Sequence, residues 1–322
     1  MNYYRNLPNL FLSALLALSV LTSCSSDEEP AADAAVPLVL TAKVFSIDSE
    51  VGTVWNAGQY LGVYLLDGAT RQVAGEYANY KFQADNRGAT GYLVPADNQP
   101  VYFPDDAATV DVLTYYPYSQ DVASAGHLLT VNVDAYTKGD AYLYSKNCTS
   151  LTKAKNKGTI ELRSILSQVN LKFVCEVPDA TKVNIEITDA VRTAMFDLLA
   201  GEYQSTPAAT RATFSFDVSS SLIEQKITLL PDYHNEDALV YITLLDSKNK
   251  VLVSYEPIHL HDALELSDEP LEENTAYHLT VALDGSGKAE TQLTGTSEIC
   301  ILNWKGSEEG AESGIARPEE EN

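Results

Sequence analysis

The chain has 322 residues, of which 45 are Asp or Glu and 21 are Lys or Arg, so its formal net charge at pH 7 is −24. This acidity argues against nucleic acid as a partner and against adhesion to an anionic membrane through basic residues, because both need clustered Lys and Arg. The apolar fraction of 45% is that of a folded protein, and the length allows two domains of ordinary size.

The first predicted element is a signal peptide. An apolar run at 10–20 follows a short head with one charged residue, Arg5, and precedes the sequence Leu-Thr-Ser-Cys at 21–24. A helix over the run would be roughly 18 Å long, which is too short for a hydrocarbon core of about 30 Å. Leu-Thr-Ser-Cys resembles the lipobox of bacterial lipoproteins, which predicts cleavage between Ser23 and Cys24. The alternative is an ordinary signal peptide with a chance cysteine.

A lipid on Cys24 is the expected consequence of the lipobox. Each buried methylene contributes about 0.8 kcal/mol, so several acyl chains, palmitate among them, would hold the chain at a membrane. The residues that follow, Ser-Ser-Asp-Glu-Glu at 25–29, resemble the acidic export tag of surface-exposed lipoproteins. We therefore predict an acidic tether at 24–35 and a location on the outer surface of the outer membrane. A polar tether with no sorting role is the alternative.

The remainder of the chain is predicted to be all-β. Apolar and polar residues alternate with a period of two, which predicts strands with one face in a core. The clearest alternating runs begin at Tyr80, Val169, Val183 and Tyr277. Frequent turn residues between short strands favour β-sandwiches. The segment at 189–201 fits either a helix or a hairpin, and we favour a hairpin that turns at Ala200-Gly201.

A domain boundary is predicted in the polar, basic segment at 151–158, which ends in glycine. The predicted divisions are an N-terminal β-sandwich at 36–155 and a C-terminal one at 156–305. The last stretch, 306–322, holds six glutamates and one arginine and is expected to be a solvated tail.

Catalytic chemistry is not indicated, because the chain has no nucleophile elbow, zinc-protease motif, phosphate loop or dinucleotide fingerprint. We predict that the chain is not an enzyme and has no cofactor or metal. His259 and His261 could share a strand face as metal ligands, with Glu256 or Glu265 as a third, but solvated histidines at a strand edge are the favoured interpretation. Three cysteines other than Cys24 lack metal-ligand spacing, and we expect them to be buried and reduced rather than joined in one disulfide: Cys148, Cys175 and Cys300.

An ordered set of segments resembles the fimbrillin-like proteins, the subunits of type V pili, from Leu38 to Trp304. The segments are Trp-Asn-Ala-Gly-Gln-Tyr-Leu-Gly-Val-Tyr at 55–64, Tyr-Phe-Pro at 102–104, the aromatic strand and proline turn at 110–118, Asp-Ala-Tyr-Leu-Tyr-Ser at 140–145, 162–173, 274–281, and Ile-Cys-Ile-Leu-Asn-Trp at 299–304. The resemblance implies two transthyretin-like β-sandwiches in tandem, exported as an outer-membrane lipoprotein.

The resemblance also implies assembly by strand exchange. In polymerising members a protease cuts after an arginine near the first strand, and a neighbour's C-terminal strand fills the groove that opens. Here the strand to be exchanged would span 38–47, with Leu38, Leu40, Ala42 and Val44 on its apolar face. No arginine lies between Cys24 and Thr70, so the candidate cleavage sites are Lys43 and Arg71.

The missing arginine and the polar residues after Trp304 favour an uncut role. The function expected from the resemblance is a structural or accessory fimbrial subunit in adhesion, with other pilin subunits as partners. The alternative is a free-standing surface lipoprotein that binds a glycan or host ligand through exposed aromatics, with Tyr115, Tyr116 and Tyr118 as the candidate platform.

Overall fold

The all-β prediction is confirmed by the structure, which is a computed structural model. It describes residues 35–44, 60–75, 78–84, 90–96, 100–133, 141–188, 190–204, 212–217, 222–231, 238–266 and 269–299. The predicted signal peptide, the tether up to residue 34 and the acidic tail lie outside these ranges. In the described residues the helices are a four-residue helix, α1 (Leu260–Ala263), and a 3₁₀ turn at Gln120–Val122, and neither is long and apolar enough to cross a membrane.

The strands within the described ranges, in chain order, are β1 (Val39–Val44), β2 (Tyr60–Asp67), β3 (Tyr80–Ala84), β4 (Thr90–Pro95), β5 (Val110–Tyr116), β6 (Leu128–Asn132), β7 (Leu143–Leu151), β8 (Lys157–Ser164), β9 (Ser167–Cys175), β10 (Lys182–Ile187), β11 (Thr193–Asp197), β12 (Glu202–Tyr203), β13 (Ala212–Asp217), β14 (Leu222–Leu229), β15 (Leu239–Leu245), β16 (Val251–Ser254), β17 (Ile258–His259), β18 (Thr275–Leu283) and β19 (Glu290–Glu298).

The first sheet closes on itself in the order β1-β4-β3-β2-β5-β7-β8. Closure depends on a parallel pairing between β1 and β8, whereas the other neighbours in this sheet pair antiparallel. Its interior is filled by apolar side chains from every strand, Leu40, Leu61 and Phe82 among them. A closed sheet has no free edge, so no strand of this barrel is open to pairing while β1 stays in place.

The second half of the chain builds two further sheets over a separate core. One sheet has the order β14-β9-β18-β19, and the other has the order β13-β10-β15-β16, with β17 also paired to β15. Side chains from both sheets form one apolar cluster, for example Phe173 from β9 and Ile185 from β10. The alternating runs predicted at Val169, Val183 and Tyr277 are the strands β9, β10 and β18, and their apolar positions are buried as expected.

A small third sheet, β12-β11-β6, joins the two halves. β6 comes from the first half and pairs antiparallel with β11 from the second, with Val131 opposite Ala194. Its inner side packs on the outer face of the barrel, where Tyr64, Leu113 and Phe196 belong to one buried cluster. β5, and β2 from Leu61 onward, are therefore covered on both faces, which explains why these strands are mostly apolar.

The segment predicted as a domain boundary, 151–158, runs from the last residue of β7 through a turn into the first residues of β8. β8 follows the predicted division and pairs with β1 of the barrel. By backbone contacts, the chain from Val36 onward forms one compact unit. The ambiguous segment is a hairpin, as predicted, made of β11 and β12.

Candidate strand-exchange site

β1 lies between two strands that are distant from it in sequence. Leu40 is opposite Leu93 of β4 on one side and Gly158 of β8 on the other. The pairing extends beyond the N-terminal end of the strand, because the Leu38 N–H donates to the Val101 carbonyl at 2.8 Å. Both edges of β1 are thus hydrogen-bonded, and removing the strand would leave two unpaired edges facing each other across one gap.

The predicted apolar face of this strand points into the barrel. Leu38, Leu40 and Ala42 are 7%, 1% and 0% exposed and belong to the barrel core. Val44 is the last residue of β1, but its side chain lies outside the described residues. An incoming strand would therefore have to present apolar residues at the same alternating positions in order to refill the core.

Gly158 of β8 lies against the side chains of Cys148 and Leu40 in the barrel core, without space for a side chain of its own. A Cβ added at Gly158 would stand 2.5 Å from Sγ of Cys148 and 3.2 Å from Cδ2 of Leu40. The sequence pattern presented Gly158 as the end of a linker. Its contact with Leu40 depends on a register that pairs residues 118 apart in sequence, which a single sequence does not reveal.

The outer face of β1 is polar and forms weaker contacts. The hydroxyls of Thr41 and Thr159 are 3.2 Å apart, and Nζ of Lys43 lies 2.5 Å from Oε1 of Glu161. The Lys43 side chain is 40% exposed, so this ion pair is in contact with solvent and adds little stability. The specificity of the position therefore resides in the inner face and the backbone pairing.

Lys43, the first candidate cleavage site, lies inside β1 and not in a loop. Its backbone is opposite Thr90 of β4 and Glu161 of β8. A protease needs an extended segment that is free of other pairing, so a cut here would require β1 to leave the barrel first. Between Lys43 and Arg71 the sequence contains no other basic residue.

Arg71, the second candidate, lies in the tight turn that follows β2. Its N–H donates to the Asp67 carbonyl at 2.8 Å, and its guanidinium forms an ion pair with Asp111 of β5. Hydrogen bonds from the Thr70 N–H and hydroxyl hold the pKa of Asp67 below its usual range. Because β1 and β2 both precede Arg71 in the chain, a cut after Arg71 would separate both strands from the rest of the chain.

The aromatic platform suggested by the sequence does not form as a set. Tyr115 and Tyr116 are 0% and 9% exposed and belong to two different cores, while Tyr118 is half-buried. The alternation in β5 causes this, because successive residues of a strand face opposite sides and both sides of β5 are covered.

His259 and His261 do not share a strand face, which corrects that part of the sequence interpretation. The chain turns into α1 at Leu260, so His259 is exposed and His261 is buried. Within the described ranges no group of three or more His, Cys, Asp or Glu side chains is arranged to hold a metal ion.

Cys148 and Cys175 are buried and are not joined in a disulfide, as the sequence analysis predicted for them. Cys300, Ser23 and Cys24 lie outside the described residues.

Asn274, which sequence analysis did not single out, ties the two halves together. Its Oδ1 accepts from the Ser164 N–H at 3.3 Å, its N–H donates to the Leu166 carbonyl, and its own carbonyl accepts from the Ile299 N–H, both at 2.9 Å. Asn274 has a φ of 57°, and an Asn before an alternating apolar run is the sequence signal that could have suggested such a turn.

The fold has counterparts among solved structures. A putative cell adhesion protein from Bacteroides uniformis is 19% identical, with a TM-score of 0.63 over 85% of this chain and 99% of that chain. A second putative cell adhesion protein, from Bacteroides ovatus, is 13% identical, with a TM-score of 0.61 over 84% of this chain and all of that one. At these identities the likeness establishes a shared fold.

A sequence relative points in the same direction. The "Putative fimbrium subunit Fim1C" of Bacteroides uniformis is 33% identical over 129 residues, which are 39% of this chain and 41% of that protein. The match thus spans less than half of the relative's length.

The model of the fimbrillin-like family matches residues 48–304, which is most of the chain and includes the barrel from β2 onward, the third sheet and the second core. The chain therefore belongs to the fimbrillin-like family.

Proposed function

We propose that this chain is a structural or accessory fimbrial subunit at the cell surface, anchored to the outer membrane through Cys24 and joined to other subunits by β-strand addition. Membership of the fimbrillin-like family supports a structural, non-catalytic role in a fimbrium. The family also supports other pilin subunits as partners. The two cores, together with the sheet that joins them, are compatible with two tandem transthyretin-like sandwiches.

The placement of β1 is the observation that carries the proposal. β1 closes the barrel between β4 and β8, and the side chains of its own residues Leu40 and Ala42 are buried in the barrel core. The loss of β1 would therefore create a single apolar groove with a free edge on each side. A strand from another subunit would gain backbone hydrogen bonds on both edges and would be selected by its alternating side chains.

An uncut form is favoured by the surroundings of the two basic residues. Lys43 is paired on both sides, and cleavage after Arg71 would remove β2 as well as β1. A chain that keeps β1 keeps its barrel closed, so it would accept no strand at this position and would end a row of subunits, as an anchor or tip does. A chain that loses β1 would accept a neighbour and extend the row.

Cell fractionation tests the anchoring and assembly together. In cells that carry the native chain, we expect it in the outer-membrane fraction and in an SDS-resistant ladder with other subunits. Cys24→Ser should release the chain from the membrane, whereas Cys148→Ser, a matched change at a buried cysteine, should leave it there. A Cys24→Ser chain that remains membrane-bound would contradict the anchor, and a strictly monomeric native chain would contradict the assembly.

A further inference from the structure

The outer face of β2, β3 and β4 carries exposed aromatic side chains. Tyr60 on β2 and Tyr92 on β4 are 40% and 42% exposed, which is unusual for large side chains of this protein. Tyr60 is opposite Gln83 of β3, and Gln83 is opposite Val94 of β4. Since Tyr92 is two residues from Val94 in the same strand, both tyrosines project from the same face.

A lysine stands between aromatic rings on this face. Nζ of Lys81, two residues before Gln83 in β3, lies 3.9 Å from the ring centroid of Tyr60 and 5.5 Å from that of Tyr118. The tyrosine rings thus hold the ammonium group over the sheet. None of the described side chains on the outer face of β3 and β4 is acidic, although the whole chain carries a net charge of −24.

We propose that this surface, defined by Tyr60, Lys81, Gln83 and Tyr92, binds a carboxylated polysaccharide. The apolar faces of sugar rings stack on exposed tyrosine rings, while the Gln83 amide is placed to hydrogen-bond hydroxyl groups. The Lys81 ammonium supplies a charge-assisted hydrogen bond to a sugar carboxylate. No other charge on the outer face of β3 and β4 competes for that ammonium among the described side chains.

The geometry suits an extended chain of sugars rather than a single one. β2 and β4 are separated by β3, so the strands that carry Tyr60 and Tyr92 lie about 10 Å apart. The face is a surface of regularly paired strands, whose side chains stand side by side along it. A polysaccharide lying across the three strands would contact both rings and Lys81 at once.

The acidity of the protein makes the role of Lys81 testable. A polyanion is repelled by most of this acidic chain, so its binding here depends on the Lys81 ammonium and weakens as salt screens that contact. A neutral polysaccharide would keep the stacking but lose the charge-assisted bond.

The test measures binding of the purified chain to polygalacturonate, with amylose as a neutral comparator. We expect saturable, salt-sensitive binding of polygalacturonate and weaker binding of amylose. Lys81→Gln should weaken the binding of polygalacturonate at least about tenfold, as the loss of a charge-assisted hydrogen bond implies. Lys172→Gln, which makes the same charge change at an exposed position on β9, should not.

The contribution of each tyrosine ring is tested by comparing an Ala variant with a Phe variant at the same position. Tyr60→Ala and Tyr92→Ala should each weaken binding, whereas Tyr60→Phe and Tyr92→Phe keep the ring and should retain most of it. The proposal is overturned if the chain does not bind polygalacturonate, if Lys81→Gln and Lys172→Gln bind equally, or if the Ala and Phe variants are alike.

This inference deepens the adhesive part of the proposed function and rests on exposure at the cell surface. The binding is measured on isolated chains, so it does not depend on strand addition. Its failure would leave the assembly proposal standing, and a failure of assembly would leave the polysaccharide surface standing.

Discussion

Gly62 lies directly against the ring of Tyr115, its partner on the neighbouring strand. A Cβ added at Gly62 would stand 1.9 Å from Cε1 of that ring. The ring has no room to move, because its hydroxyl donates to Oδ1 of Asn79 at 2.8 Å and lies 3.1 Å from the Ser119 carbonyl oxygen. The glycine in β2 is therefore required by the aromatic residue in β5.

Replacing Gly62 by Ala should destabilise the protein. Overpacking of a fixed ring costs about 1–3 kcal/mol, since either the ring or the backbone of β2 must shift. Urea unfolding measures the loss. Gly285→Ala is the matched control, because a Cβ there would meet nothing within 4 Å. Equal midpoints for the two variants would show that the close contact is not a constraint.

Asp111 secures two turns from one position in β5. Its Oδ1 accepts the Ser150 N–H at 2.7 Å and its Oδ2 pairs with the Arg71 guanidinium, and both of these residues have positive φ, 59° and 62°. Asp111→Asn should cost about 1–3 kcal/mol, because it weakens partly buried hydrogen bonds of a charged acceptor. It should also speed cleavage by trypsin at Arg71, which limited proteolysis followed by mass spectrometry detects.

Arg71→Lys is the control for this experiment, since it keeps a trypsin site and a positive charge on a half-exposed side chain. We expect only a small loss of stability from it. If the Asp111→Asn chain is cut at Arg71 no faster than the unaltered chain, the carboxylate does not hold this turn.

Glu273 gives stability a pH dependence at the junction of the two halves. Desolvation raises the pKa of its carboxyl to about 7, although the residue is partly exposed, and the nearby Lys146 ammonium acts in the opposite direction. The folded state therefore holds this proton more tightly than the unfolded state, where the pKa is near its ordinary value of 4.5. The stabilising contribution is present below that value and is lost as the pH rises towards 7.

Glu273→Gln should remove this slope. Unfolding midpoints measured from pH 4.5 to 7.5 should fall less steeply for Glu273→Gln than for the unaltered chain, and the effect should be small because solvent screens the exposed part of the side chain. Glu269→Gln, at another exposed position of the same connection, should keep the original slope. Parallel curves for Glu273→Gln and the unaltered chain would refute the prediction.

Much of the strand content could be predicted from local pattern. The alternation at Val169, Val183 and Tyr277 identified β9, β10 and β18, because each strand has one face in a core. The hairpin of β11 and β12 followed from a turn at Ala200-Gly201, where Gly201 has a φ of 77°.

The pairings between distant strands could not be predicted. β1 is parallel to β8 across more than 100 residues, and β6 pairs with β11 across about 65 residues. Neither pairing leaves a local signature in the sequence. The same is true of the surface around Tyr60, because its contact with Lys81 depends on the register of β2 with β3. Tyr115 and Tyr116 illustrate the limit: a run of tyrosines in a strand covered on both faces is core, and only the neighbours of that strand reveal this.

The most direct test of the account is strand exchange at β1. A specific protease site placed within 45–59, between β1 and β2, allows the chain to be cut and then offered a labelled peptide of residues 36–44. We predict that the cut chain takes up this peptide and that the uncut chain does not, while a peptide carrying Leu40→Asp, which would bury a charge in the barrel, is not taken up by either. A cut chain that never takes up the 36–44 peptide, or that accepts the Leu40→Asp peptide equally well, would contradict assembly by strand addition at this position.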